Sequence, residues 1–159
     1  MEEISMPSTL QKFLAAATEK AAADLAEAFS QLPVDKRLWV PSGDARPAFD
    51  LAVECALLNG YTGDLIQTRS WSAQNMRDYE RDKSEIVAQG WDTLHRLLVE
   101  SAHKVAAVIS AVPDTALADE IEMPGTPQTV AQIIAYPYWN MTYHLGQINY
   151  IASLLGSQA

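Results

Sequence analysis

A chain of 159 residues with 48% hydrophobic and 19% charged side chains suits one folded domain over 1–159, with apolar surface enough for a core without disulfides or a structural metal. Its formal net charge of −9 opposes the basic footprint that phosphate contact requires, so nucleic acid is excluded as a partner. The single cysteine, Cys55, excludes an intramolecular disulfide and fits a reducing compartment.

The N-terminus, Met1-Glu2-Glu3-Ile4-Ser5, lacks the basic and apolar regions of a signal peptide. No stretch approaches eighteen uninterrupted apolar residues, so no membrane span is expected. A cytoplasmic protein is the expectation.

The first helix is read from Ser8, which has capping-box spacing to Gln11. Leu10, Phe13, Leu14, Ala17, Ala21, Leu25, Phe29 and Leu32 recur at helical spacing, and Pro33 ends the run. The second helix is placed from near Asp44 to about Gln67, with Pro47 tolerated in its first turn. From Leu51 to Leu58 every residue but Glu54 is apolar, the pattern of a buried helix. Residues 68–82 are polar without clear period and read as a connector. A third helix follows, with Asp82 and Glu85 in capping-box spacing and Trp91, Leu94, Leu98, Val105 and Val108 in its stripe. Pro113 stops it. Glu120-Ile121-Glu122-Met123 alternates like a short extended piece. Thr126 and Pro127 suit the N-cap and first turn of a fourth helix that Gly156 ends. Pro137 inside it is expected to kink it or to start a second half.

Four amphipathic helices with little strand signal define an all-α four-helix bundle. The 68–82 connector spans roughly 50 Å at about 3.4 Å per residue, against roughly 30 Å for a helix of about twenty residues. A long crossover between the second and third helices, leaving them parallel, is therefore within reach. The connection between the first and second helices is also long, so length alone does not fix the topology.

Two places carry candidate chemistry. Glu54 interrupts an otherwise apolar helix, and a buried carboxylate needs a pairing partner, a hydrogen bond or a metal. The plain alternative is a partner such as Tyr, Trp or Arg. On the last helix, Asn140 and His144 are four apart and share a face that Gln147 continues, while Tyr136, Tyr143 and Tyr150 repeat at seven beside it. Polar groups among aromatics suggest a lined pocket. The competing reading is a core histidine satisfied by Tyr and Asn. Trp71, Arg77 and Tyr79 in the connector are candidates to cover the pocket mouth. His95 and His103 read as surface or boundary histidines, and Cys55 as a small buried hydrophobe.

The run Tyr143-His144-Leu145-Gly146-Gln147-Ile148-Asn149-Tyr150-Ile151, ending in Leu155-Gly156, resembles the last-helix signature of the DinB-like (YfiT-like) proteins. Arg46 to Leu58 resembles their second helix, and the order of elements matches over almost the whole chain. The resemblance implies a four-helix bundle with a crossover between helices 2 and 3, a homodimer, and a divalent metal such as zinc or nickel. In that family one second-helix His and an H-x-x-x-H pair of the last helix commonly hold the ion; i and i+4 imidazoles converge on it, and the open position activates water or a thiol. This chain departs at two of the three positions. His144 matches the second His, Asn140 replaces the first, and Glu54 takes the helix-2 place. The implied metal set is Glu54, Asn140 and His144, with Glu54 and His144 as ligands or bases and Tyr143, Gln147 and Tyr136 around a pocket. One imidazole, one carboxylate and one amide make a harder, weaker site.

Two functions follow. One is a metal-dependent hydrolase or thiol S-transferase acting on a small molecule. The other is a non-catalytic bundle, binding a ligand or dimerising, that has lost the metal. Catalysis predicts Glu54 and His144 close together beside an open cavity. A structural role predicts both bonded to core Tyr or Trp with no cavity.

Overall fold

Thr9 opens the first helix: its side-chain oxygen accepts the Lys12 amide and satisfies one of the free N–H groups of the first turn. The computed structural model describes residues 9–156, so the expected cap at Ser8 lies outside them. Gln11 instead sends its amide nitrogen to the Val112 carbonyl, 3.0 Å, and to Asp114 Oδ1, 2.7 Å. The helices are α1 (Leu10–Ser30), α2 (Ala48–Thr68), α3 (Ala73–Gln89), α4 (Trp91–Ser110) and α5 (Val130–Leu154). Strands β1 (Glu120–Ile121) and β2 (Gln128–Thr129) pair antiparallel, with Glu120 opposite Thr129.

Two boundaries differ from the sequence reading, each for a local reason. Thr126 and Pro127 do not start α5, because the next two residues are drawn into the hairpin. Thr129 caps the helix in a complete capping box with Gln132, while the Val130 and Ala131 amides reach back to the Asp119 and Leu117 carbonyls. α2 starts at Ala48 behind Pro47, a few residues later than expected. Pro137 is buried within α5, and the helix runs through it to Leu154 instead of restarting.

The larger correction concerns the connector. Residues 68–82 are not an extended crossover; most of them belong to α3, and Asp82 is not a cap. Met76, Tyr79, Lys83 and Ile86 are spaced three, four and three apart on one face of α3. Lys83 interrupts the apolar stripe and hides the period, yet it fits because its ammonium lies 2.9 Å from Asp50. Gln74 with Asp78 and Arg81 with Asp78 support the outer face one turn apart. Asp82 accepts the Tyr61 hydroxyl at 3.0 Å from mid-helix. Gly90, at φ 85° and ψ −175°, separates α3 from α4, a conformation open essentially to glycine alone.

The bundle itself comprises α1, α4, α2 and α5 in that order around its axis, so α1 and α2 sit on a diagonal. Asn59 bonds Ser101 at 3.4 Å, and one turn further Gly63 faces Val105. α2 and α4 therefore run parallel, with α3 returning the chain between them. Glu54 meets His144 whereas Asn59 meets Met141, which makes α5 antiparallel to α2. Leu25, Phe29, Leu51, Leu94, Leu98, Met141 and Ile148 fill one half of the core; Leu14, Ile66, Ile109, Val130 and Ile134 fill the other, where Ile121 of the hairpin plugs the end. Leu98 is fully buried, and truncating such a leucine to alanine costs about 2–5 kcal/mol. No helix among the described residues is long and apolar enough to cross a membrane.

Candidate functional site

The near-continuous apolar character of α2 drives it between α4, α5 and α3, and this carries Glu54 to the inner edge of the bundle. Its side chain remains 18% exposed. His144, on the buried face of α5, is almost wholly enclosed. Glu54 Oε1 and His144 Nε2 stand 2.8 Å apart, and the other carboxylate oxygen is 2.6 Å from Arg46 Nη1. Arg46 also holds Asp50 through its Nε, and Asp50 in turn pairs with Lys83 of α3. The second ring nitrogen of His144 lies 2.6 Å from Gln147 Oε1. Two electronegative atoms at 2.8 Å need a proton between them, so the contact between Nε2 and the Glu54 carboxyl is a hydrogen bond.

Burial alone raises a carboxyl, yet the bonds from His144 and Arg46 prevail and hold Glu54 below the usual glutamate range. Asp50 is likewise lowered: burial opposes its charge, and Lys83 and Arg46 outweigh it. Both Glu54 oxygens and both His144 nitrogens thus have partners inside the protein. Asn140 is buried one turn before His144, with its amide nitrogen turned to Cys55 Sγ at 3.8 Å. Among the described residues no three His, Cys, Asp or Glu side chains are placed to share one ion.

The expected pocket residues divide. Tyr143 is 54% exposed and sets its ring edge-on to His144; with Gln147 and Arg46 it lines a groove on the α5 side. Tyr136 lines an adjoining apolar cleft with Ile133, where burial and the nearby Glu54 charge push its phenol up to about 12. Glu54 opens onto a cleft of about 350 Å³ with Arg46, Asp50, Tyr79 and Lys83 in its wall. Of the three connector residues, Trp71 lines the apolar cleft and Tyr79 this one, while Arg77 is exposed and bonded to Gln74. His95 and His103 are exposed, the latter 2.7 Å from Glu19. Cys55 is fully buried, and burial pushes its thiol up.

Arg46 is the residue to which sequence reasoning gave no role. Its signal is the spacing of Arg46, Asp50 and Glu54, a cation and two acids four residues apart, which places all three on one face.

The architecture is that of an all-α, DinB-like bundle. A crystal structure of the DinB-like protein YjoA from Bacillus subtilis superposes on it with a TM-score of 0.68 at 13% identity, covering 92% of this chain and 94% of that one. At that identity the likeness is one of fold. No family model matches the chain, and no curated protein matches it in sequence.

Proposed function

We propose that this chain is a ligand-binding four-helix bundle in which an ion-pair network stands where the proteins it resembles hold a metal. One observation carries the reading: each oxygen of Glu54 and each ring nitrogen of His144 is already engaged, by Arg46, His144 itself and Gln147. The donor set fits an ion poorly. Zinc or nickel between Glu54 and His144 has to displace the proton that joins them, and Asn140 supplies only a neutral amide. A homodimer belongs to the same proposal; exposed Trp139, Tyr143 and Tyr150 on α5 give it a face, and sedimentation equilibrium measures it.

A metal-dependent hydrolase or thiol S-transferase is the second reading. It is favoured by the convergence of Glu54 Oε1 and His144 Nε2 one turn from Asn140 and by the open cleft beside Glu54, the arrangement that catalysis calls for. Metal analysis of untagged protein, followed by calorimetric titration with zinc and nickel, decides between the two. The binding reading expects no stoichiometric uptake. One ion per chain, lost in His144→Ala, overturns it in favour of the enzyme.

A further inference from the structure

A further cavity begins one turn along α2 from Glu54, at Leu58, which also borders the Glu54 cleft. It measures about 480 Å³, within the range of about 300–1,000 Å³ usual for small-molecule sites. Leu58 and Leu65 of α2, Met76 of α3, and Ile133 and Tyr136 of α5 form its walls together with Trp71. It exists because α3 closes on the bundle at one end only. Along the whole of α3 a single residue, Ile86 near its C-terminus, is buried. The N-terminal half, where Met76 is 59% exposed, stands off α2 and leaves the apolar walls facing one another.

The lining chemistry is selective. Among the described residues Asp64 is the one charged residue in the wall, with no lysine, arginine or histidine, in a protein of net charge −9. An anion entering the cleft meets no cation and leaves its hydration uncompensated. Asn75, Gln128 and the Tyr136 hydroxyl offer polar groups enough to orient a ligand. Met76 and Met123 provide adaptable thioether surface.

We propose that the cleft between α2, α3 and α5 binds a neutral or cationic, largely apolar small molecule, with the N-terminal half of α3 as its outer wall. The site adjoins the Glu54 cleft, with which it shares Leu58 and Met76, and extends the binding reading given above.

The test uses the full chain with N-phenylnaphthylamine as a neutral probe and anilinonaphthalene sulfonate as an anionic one. The neutral probe is expected to bind one per chain and to quench tryptophan emission, with the loss of signal reduced in Trp71→Phe. Met76→Trp, which fills the cleft from an exposed position, is expected to weaken it roughly tenfold without shifting the melting temperature. Met76→Lys is expected to move the preference towards the anionic probe. No saturable binding of the neutral probe, or binding indifferent to both Met76 substitutions, overturns the proposal. The zinc titration is separate: zinc held at His144 alongside probe binding at the cleft overturns the metal-free reading alone.

Discussion

Glu54 Oε1 lies 2.8 Å from His144 Nε2, joining α2 to α5 across 90 residues of sequence. The contact has a consequence opposite to the usual one for a carboxylate on an apolar helix. A desolvated acid without partners has a raised pKa, and replacing it with an amide relieves the fold. Here His144 and Arg46 favour the charged form. Glu54→Gln is therefore destabilising, by about 2 kcal/mol at neutral pH, since it takes the carboxylate from a buried imidazole and leaves Arg46 with Asp50 alone. A lowered folded-state pKa gives stability that is present above the unfolded value and lost as pH falls through the folded one. The difference between wild type and Glu54→Gln in urea denaturation is thus full at pH 7 and shrinks below about pH 4. A gap of constant size down to pH 3 would remove the Glu54 charge from the folding energetics.

The bundle was legible because its four principal helices carry apolar stripes with clear breakers at Pro33, Pro113 and Gly156, the last at φ 69°. Glu54 and His144 were legible as polar residues on apolar faces, and the structure brings them together. α3 was not legible as a helix. Its inward positions include a lysine whose fitness depends on Asp50, more than thirty residues earlier, and no local periodicity registers that pairing. Tyr136 was grouped with Tyr143 because they repeat at seven. Seven residues of α-helix fall about 20° short of two full turns, and the two rings serve different cavities because different neighbours face each end of α5.

Arg46 holds two carboxylates one turn apart, Asp50 and Glu54. Arg46→Met leaves them to repel, with Lys83 still beside Asp50. Its side chain is 38% exposed, so water screens part of the loss and a cost of about 1 kcal/mol is expected. In Arg46→Met/Glu54→Gln the second change removes the stranded charge, so the double variant is expected to be more stable than the sum of the singles. Strict additivity in the cycle would mean that the two side chains do not interact.

Cys55 has no solvent exposure, and burial raises its thiol. The thiolate is the reactive form, so a disulfide reagent at pH 8 is expected to modify native protein only at the rate of opening, while modification in urea is immediate. Where reclosing outpaces modification, the rate should rise in Leu98→Ala roughly tenfold for each ~1.4 kcal/mol of stability lost. Fast stoichiometric labelling of the folded wild type would place the thiol at an accessible surface.

Gly90 and Gly60 separate backbone strain from packing. A Cβ built on either meets nothing within 4 Å, so a methyl group finds room at both. They differ in conformation. Gly90 joins α3 to α4 at φ 85° and ψ −175°, where an L-residue is strained by about 1–3 kcal/mol. Gly60 lies inside α2 on its exposed side, where alanine has the better helix propensity by about 1 kcal/mol. Gly90→Ala is therefore expected to lower the melting temperature and Gly60→Ala to raise it. Because Gly90 sets where α3 leaves the bundle, its substitution is also expected to weaken the neutral probe in the α2–α3–α5 cleft, whereas Gly60→Ala leaves that affinity unchanged. Equal shifts of the same sign in the two melting curves would show that the α3–α4 junction does not require the left-handed glycine on which this placement of α3 depends.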